Sequence, residues 1–312
     1  MDSHGHDHEH LAQAQMEPSK RRLLFAVALT AVVLVVEVVG GIWANSLALL
    51  SDAAHVFTDL VSLALSLAAL IIAARPVSKE HTFGFHRAEV FAALVNGVLL
   101  LLIATEILRA AYARIAHPPV VRVEGMLLIA VAGLVANGVI ALMLRGHSHH
   151  DLNLRSAYLH VLADLAGSVG VVIAGAVIWF TGWQRADPVV SAAIAVAVLA
   201  GSVRLLRDTA HILLEGVPRG LRLDAVANAV LSVPGVEAIH DLHIWTICSN
   251  LLALSVHVTV GDRPSEQRDA IVQAINDRLR DEFAILETTV QTEAEPCRTE
   301  DLVHIVAHNS RP

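Results

Sequence analysis

Charge is scarce in this chain. Only 17% of its 312 residues are Asp, Glu, Lys or Arg, against about a quarter in an ordinary soluble protein, while 55% are hydrophobic. That balance excludes a conventional water-soluble fold and leaves a polytopic protein whose main partner is the lipid bilayer. Basic residues are the scarcer sign, 22 against 30 acidic, for a net charge of -8. Most of that excess lies after residue 208, which excludes nucleic acid as a partner and argues against binding to an anionic lipid surface. Two cysteines, Cys248 and Cys297, cannot build a disulfide framework and fit a reducing compartment. The N-terminus is polar and His-rich rather than basic then apolar, so no cleavable signal is expected. A His-Glu-x-x-His string is absent too, which speaks against an intramembrane metalloenzyme.

What the chain has instead is long apolar runs. Six lie near 23–44, 47–74, 88–108, 121–144, 154–181 and 187–206, each close to the ~17–25 residues that cross a hydrocarbon core. The expected organisation is a His-rich tail over 1–22, a six-helix transmembrane domain over 23–208 and a C-terminal domain over 209–312. Lys and Arg near the span ends set the orientation. With the N-terminus inside, one face gathers Lys20, Arg21, Arg22, Arg75, Lys79, Arg87, Arg145, Arg155, Arg204 and Arg207. The other gathers only Arg109, Arg114, Arg122 and Arg185. Both termini are then cytoplasmic, and the setting is a multi-pass protein of the cell (inner) membrane.

The C-terminal region reads as helix, strand, strand, helix, strand. A helical pattern over 221–232 is ended by Pro234-Gly235. Strands over 236–247 and 250–260 flank a turn at Cys248-Ser249-Asn250, and 287–293 forms a third. Between them, 265–283 is an amphipathic helix with Ser265 as its expected cap. The fold class is therefore an α-helical membrane protein followed by a small α+β domain, with helices on one face of its sheet.

One ten-residue pattern occurs twice. Residues 51–60 and 156–165 both fit Ser-x-x-x-His-Val-x-x-Asp-Leu, inside the second and fifth runs. Residues four apart share a helix face, so His55 with Asp59, and His160 with Asp164, each set an imidazole beside a carboxylate. An odd number of crossings separates the two runs, which makes them antiparallel, as in an inverted repeat. At 1.5 Å per residue the motif centres lie ~15 and ~12 Å inside opposite ends of their spans, close to the ~30 Å core when added. The motifs can therefore meet near the midplane. Two nitrogens and two oxygens form a tetrahedral set suited to Zn2+ first, with Co2+ and Cd2+ as further candidates. Ionisable groups at that depth mark a substrate path. Two carboxylates balance a dication and His changes charge near neutral pH, so metal and protons compete for one site. Alternating exposure of that site gives metal/proton exchange with no covalent step, hence no catalytic residues and no enzyme. A metal sensor, in which the C-terminal region is the working part, is the competing non-enzymatic reading.

Further polar residues punctuate the spans. Asn45, Asn96 and Asn137 are expected to hydrogen-bond between helices, Asp52 to stand at an outer mouth, and Glu37 to serve a functional or bracing role. Small residues in the fifth run, Gly167 and Gly175 among them, permit close helix approach. Loop histidines His81, His86, His147, His149 and His150 are candidates to guide metal to the inner mouth, and the N-terminal histidines to buffer it. In the C-terminal region His240 and His257 lie on paired strands, with Glu293 and Cys297 at and beyond the third, as a candidate second metal site. His243 is expected to share the sheet face of His240 in a packing role.

The stretches SLALLSDAAHVFTDL, HTFGFHRAEVFAALVNG, SAYLHVLADLAGSVG and HDLHIWTI, in six-span order, resemble the zinc-type branch of the cation diffusion facilitator family. The resemblance implies a homodimer, a ferredoxin-like cytoplasmic domain, and zinc export driven by inward proton flow. It carries over His55, Asp59, His160 and Asp164 as the transport site, and His240, His257 and Glu293 as ligands of a zinc ion in the cytoplasmic domain. Phe85 interrupts the histidine spacing that some members use for a further site after the second span. The His-rich loop between the fourth and fifth spans is also short for a buffer.

Overall fold

The computed structural model describes residues 27–73, 75, 78–145, 152–248 and 251–295. Within the helices, the side chains of residues 66, 70, 143–145, 152–160 and 163 are also left outside that description. The N-terminal histidines, His147, His149, His150 and Cys297 fall outside the described residues.

Six described helices are long and apolar enough to cross a membrane: α1 (Val27–Ala44), α2 (Leu47–Ala73), α3 (Ala88–Ala116), α4 (Val123–Arg145), α5 (Leu152–Thr181) and α6 (Ala186–Leu213). Their large apolar side chains are more often exposed than buried. On α1, Val32, Val35, Val36, Val39 and Ile42 recur at helical spacing and are exposed, the stripe a lipid-facing helix presents. α3 and α6 run past the ends expected at 108 and 206. Arg109 and Arg114, and Arg204 and Arg207, end the apolar run but not the helix, because Arg is a good helix former whose long stem reaches out of the apolar layer.

By contacts the chain falls into two units, one of residues 1–65 and 95–204, the other of 66–94 and 205–312. The first unit has a core of small and branched side chains from five helices, including Ala44, Ala48, Leu49, Met126, Ala130, Val171, Ala174 and Ala186. A corner between α1 and α2 organises one end of it. Asn45 takes a left-handed conformation (φ 53°) there, as Asn tolerates better than most residues. Arg114 of α3 donates to the Asn45 carbonyl (2.9 Å) and to its side-chain oxygen (3.2 Å), and Asn45 Nδ2 donates to Val120 O (3.3 Å). Ser46 then caps α2, its hydroxyl accepting from Leu49 N–H at 3.2 Å. The fully buried Asp187, at the start of α6, completes the cap by accepting from Leu47 N (2.8 Å), Ala48 N (3.0 Å) and the Ser46 hydroxyl.

The second unit contains the α+β domain: α7 (Leu223–Leu231), β1 (Ala238–Cys248), β2 (Leu251–Thr259), α8 (Ser265–Phe283) and β3 (Ile285–Glu293). Its sheet has the order β1-β2-β3, antiparallel between β1 and β2 and parallel between β2 and β3, with α8 as the crossover that parallel pairing requires. Val226 and Val230 of α7, and Ile271, Ile275 and Leu279 of α8, pack on Leu242, Ile244, Leu254, Val256 and Val258. Both helices therefore cover one sheet face, as the alternation of the strands predicts. Pro264 occupies the N-cap of α8 and no side chain caps it, so Ser265 is the first helical residue and not the cap. Proline, which has no N–H to satisfy, suits a helix entrance.

Candidate metal centres

α2 carries His55 and Asp59 on one face, as four-residue spacing dictates, and α5 brings Asp164 against them. His55 Nε2 lies 3.8 Å from Asp59 Oδ2 and 3.5 Å from Asp164 Oδ1. One ligand-type atom from each residue falls within 4.8 Å of the others. Asp164 is 7% exposed, and the other two are partly buried. One nitrogen and two carboxylates thus converge in the bundle interior, a donor set that fits a divalent cation. α5 places His160 four residues before Asp164, but its side chain lies outside the described residues.

A second layer holds α2 and α5 in this register. Ser168, one turn beyond Asp164, donates to Asp52 Oδ2 at 3.1 Å and accepts from Asn137 Nδ2 of α4 at 3.3 Å. Asp52 is 3% exposed, so it is a buried strut between helices and not the outer mouth expected from sequence. Ser168 supplies a donor inside the bundle, which makes burial of the Asp52 carboxylate tolerable. Gly167 explains the closeness: a Cβ there would sit 2.7 Å from Asp52 Oδ1. Ser168 was not singled out by sequence, although it stands one turn after Asp164 in a small-residue run.

The second cluster is built by strand register. His240 and His257 are Cα partners across β1 and β2, with rings 5.1 Å apart edge to face. Glu293, at the end of β3, reaches both: its Oε2 is 3.4 Å from His240 Nε2 and its Oε1 is 3.1 Å from His257 Nδ1. Val256 and Val258 point to the helix-covered core, so His257 between them faces the other way. Two imidazoles and a carboxylate within 4.8 Å of one another fit a zinc ion's donors, and His240 is 7% exposed.

His243 departs from its expected role. It stands three residues after His240, so plain alternation would put the two on opposite faces. A β-bulge absorbs the extra residue: Asp241 takes a left-handed φ of 53°, and His240 pairs with His257 while His243 pairs with Ser255. The two histidines therefore do share a face. His243 is exposed and bonded to Asp241 Oδ1 at 3.0 Å, with no packing role, and the other Asp241 oxygen lies 3.9 Å from His257 Nε2. Asp241 is the member of this cluster that sequence reasoning missed. Of the loop histidines, His81 stacks on Phe85 (centroids 4.4 Å), and neither His81 nor His86 joins a cluster of three ligand-type groups among the described residues.

Spanning helices enclosing a His/Asp cluster, joined to an α+β domain with a cluster of its own, define a multi-pass membrane protein with two candidate metal sites. Residues 23–214 match the model of the cation efflux transmembrane domain, and residues 218–295 that of the cation efflux protein cytoplasmic domain. The chain belongs to the cation efflux, or cation diffusion facilitator, family. It is similar to the metal cation efflux system protein CzcD of Cupriavidus metallidurans, 42% identical over 95% of this chain and 92% of that one. It is 39% identical to a cadmium, cobalt and zinc/H(+)-K(+) antiporter of Bacillus velezensis, over 93% of this chain and 92% of that one. With the zinc transporter ZitB of Escherichia coli it shares 39% identity over 96% and 94%.

Proposed function

We propose that the protein exports Zn2+ from the cytoplasm in exchange for protons, with Co2+ and Cd2+ as secondary substrates. The observation that carries this reading is the convergence of His55 and Asp59 of α2 with Asp164 of α5 inside the bundle. His160 stands on α5 at the spacing that makes it the fourth ligand, giving two nitrogens and two carboxylates, all from protein. Such a site has no open position for a reacting water, which favours transport over catalysis. Its two carboxylates balance a dication, and imidazole changes charge near neutral pH, so protons can replace the metal. The names of the relatives, a zinc transporter and a cadmium, cobalt and zinc/H(+)-K(+) antiporter, support zinc as cargo and protons as one counter-ion.

The cytoplasmic-domain cluster supports a second role for metal. His240, His257 and Glu293 would hold a resident Zn2+ whose charge offsets the Glu293 carboxylate and fixes the ends of β1, β2 and β3 together. The protein works as a homodimer with this domain and both termini in the cytoplasm, in the cell's inner membrane. Purified protein in proteoliposomes with an imposed pH gradient tests the substrate assignment: zinc should move fastest, cobalt and cadmium more slowly, manganese least. Binding of zinc without movement under any gradient would instead make the protein a sensor.

A further inference from the structure

Glu37 of α1 is a buried carboxylate that neither the metal cluster nor the α2–α4–α5 hydrogen-bond network uses. It is 1% exposed. Its Oε1 fits against α4 because residue 133 is glycine, where a Cβ would come within 2.6 Å of that oxygen. Its Oε2 is buried, and no donor among the described residues reaches it. Helix geometry sets its depth. α1 and α2 meet at Asn45, and at 1.5 Å per residue Glu37 lies about 12 Å from that corner, between Asp52 at about 10 Å and His55 at about 15 Å. Among the described residues, Asp52 on α2 and Asp164 on α5 are the charged groups close enough to act on it, and both are acidic.

Charge balance then assigns it a task. Glu37, Asp52, Asp59 and Asp164 place four carboxylates in one region of the bundle, where a dication offsets two. Ser168 serves Asp52 as a donor, whereas among the described residues Glu37 has no cation facing it and its Oε2 no donor, a setting in which an ionised carboxylate is costly. We propose that Glu37 is a proton-binding site of the exchange, distinct from the side chains that hold the metal. It keeps a proton on Oε2 while the bundle is closed around it. When helix movement opens it to water on one side, the O–H bond breaks, the proton leaves to water and the carboxylate remains. This assignment rests on the metal/proton exchange proposed above and adds where part of the proton current is carried.

The test uses full-length wild type and Glu37→Gln in proteoliposomes, with zinc as the only metal and dyes reporting zinc and internal pH. Glu37→Gln should bind zinc as the wild type does while moving about one proton fewer per zinc. Its zinc flux should also respond less steeply to the pH gradient, and Glu37→Asp should restore both. An unchanged proton-to-zinc ratio in Glu37→Gln overturns the assignment while leaving the exchange intact. A wild type that moves zinc with no proton movement overturns the exchange, and this assignment with it. Should Glu37→Gln not transport, proton release on zinc binding in weakly buffered detergent gives the same ratio. A release smaller by about one proton supports the assignment, and an equal release overturns it.

Discussion

Replacing Asp187 with alanine should damage the bundle more than any metal-ligand substitution does. The carboxylate is fully buried and accepts three hydrogen bonds, from the Ser46 hydroxyl and from the backbone N–H groups of Leu47 and Ala48. Those two N–H groups belong to the first turn of α2 and have no partner within the helix, so without Asp187 they remain buried and unsatisfied. At roughly 1–3 kcal/mol for each stranded buried donor, and with the hydroxyl free to turn elsewhere, the loss is about 2–6 kcal/mol. Arg114, whose Nη1 lies 4.0 Å from Asp187 Oδ2, loses its nearby charge as well. Asp187→Asn keeps one carbonyl acceptor and should lose about half as much. The assay is reversible unfolding in mixed micelles, followed by helical circular dichroism, on wild type and both variants. An Asp187→Ala protein within about 1 kcal/mol of wild type would refute the capping argument, since that is the scale of an ordinary substitution.

Other outcomes follow from the same geometry. Ser168→Ala removes the donor to Asp52 and the acceptor of Asn137, so it should destabilise the bundle by about 1–3 kcal/mol and slow zinc flux without abolishing it, both measured on the reconstituted protein. Glu293→Gln weakens the cytoplasmic-domain cluster, and metal analysis of the purified full chain should find about one zinc fewer per protomer at limiting zinc. His55→Asp replaces the nitrogen ligand with oxygen and should shift competition toward manganese, and an unchanged metal profile would speak against His55 as a ligand.

The repeated motif was legible because helical spacing is a local property: four residues along one helix fix which side chains stand together. Its meeting with α5 also followed from topology and depth, and the structure brings Asp164 to 3.5 Å from His55. Span ends were less legible, since Arg109 and Arg204 mark the edge of an apolar run while α3 and α6 continue. Asp187 escaped notice for a different reason: it caps a helix some 140 residues earlier in the chain, and nothing in the local sequence records that contact. Asp241 was hidden by period. A strand read as strictly alternating has no place for an extra residue, and only the left-handed backbone at Asp241 returns His243 to the face of His240.

The central claim is that the transported metal passes through the cluster of His55, Asp59 and Asp164. The most direct measurement is zinc flux into proteoliposomes under an imposed pH gradient, comparing wild type with Asp164→Ala at equal, monodisperse reconstitution. Wild type should move zinc, and Asp164→Ala should fall to the rate of protein-free vesicles. Near-wild-type flux through Asp164→Ala would place the metal's path elsewhere.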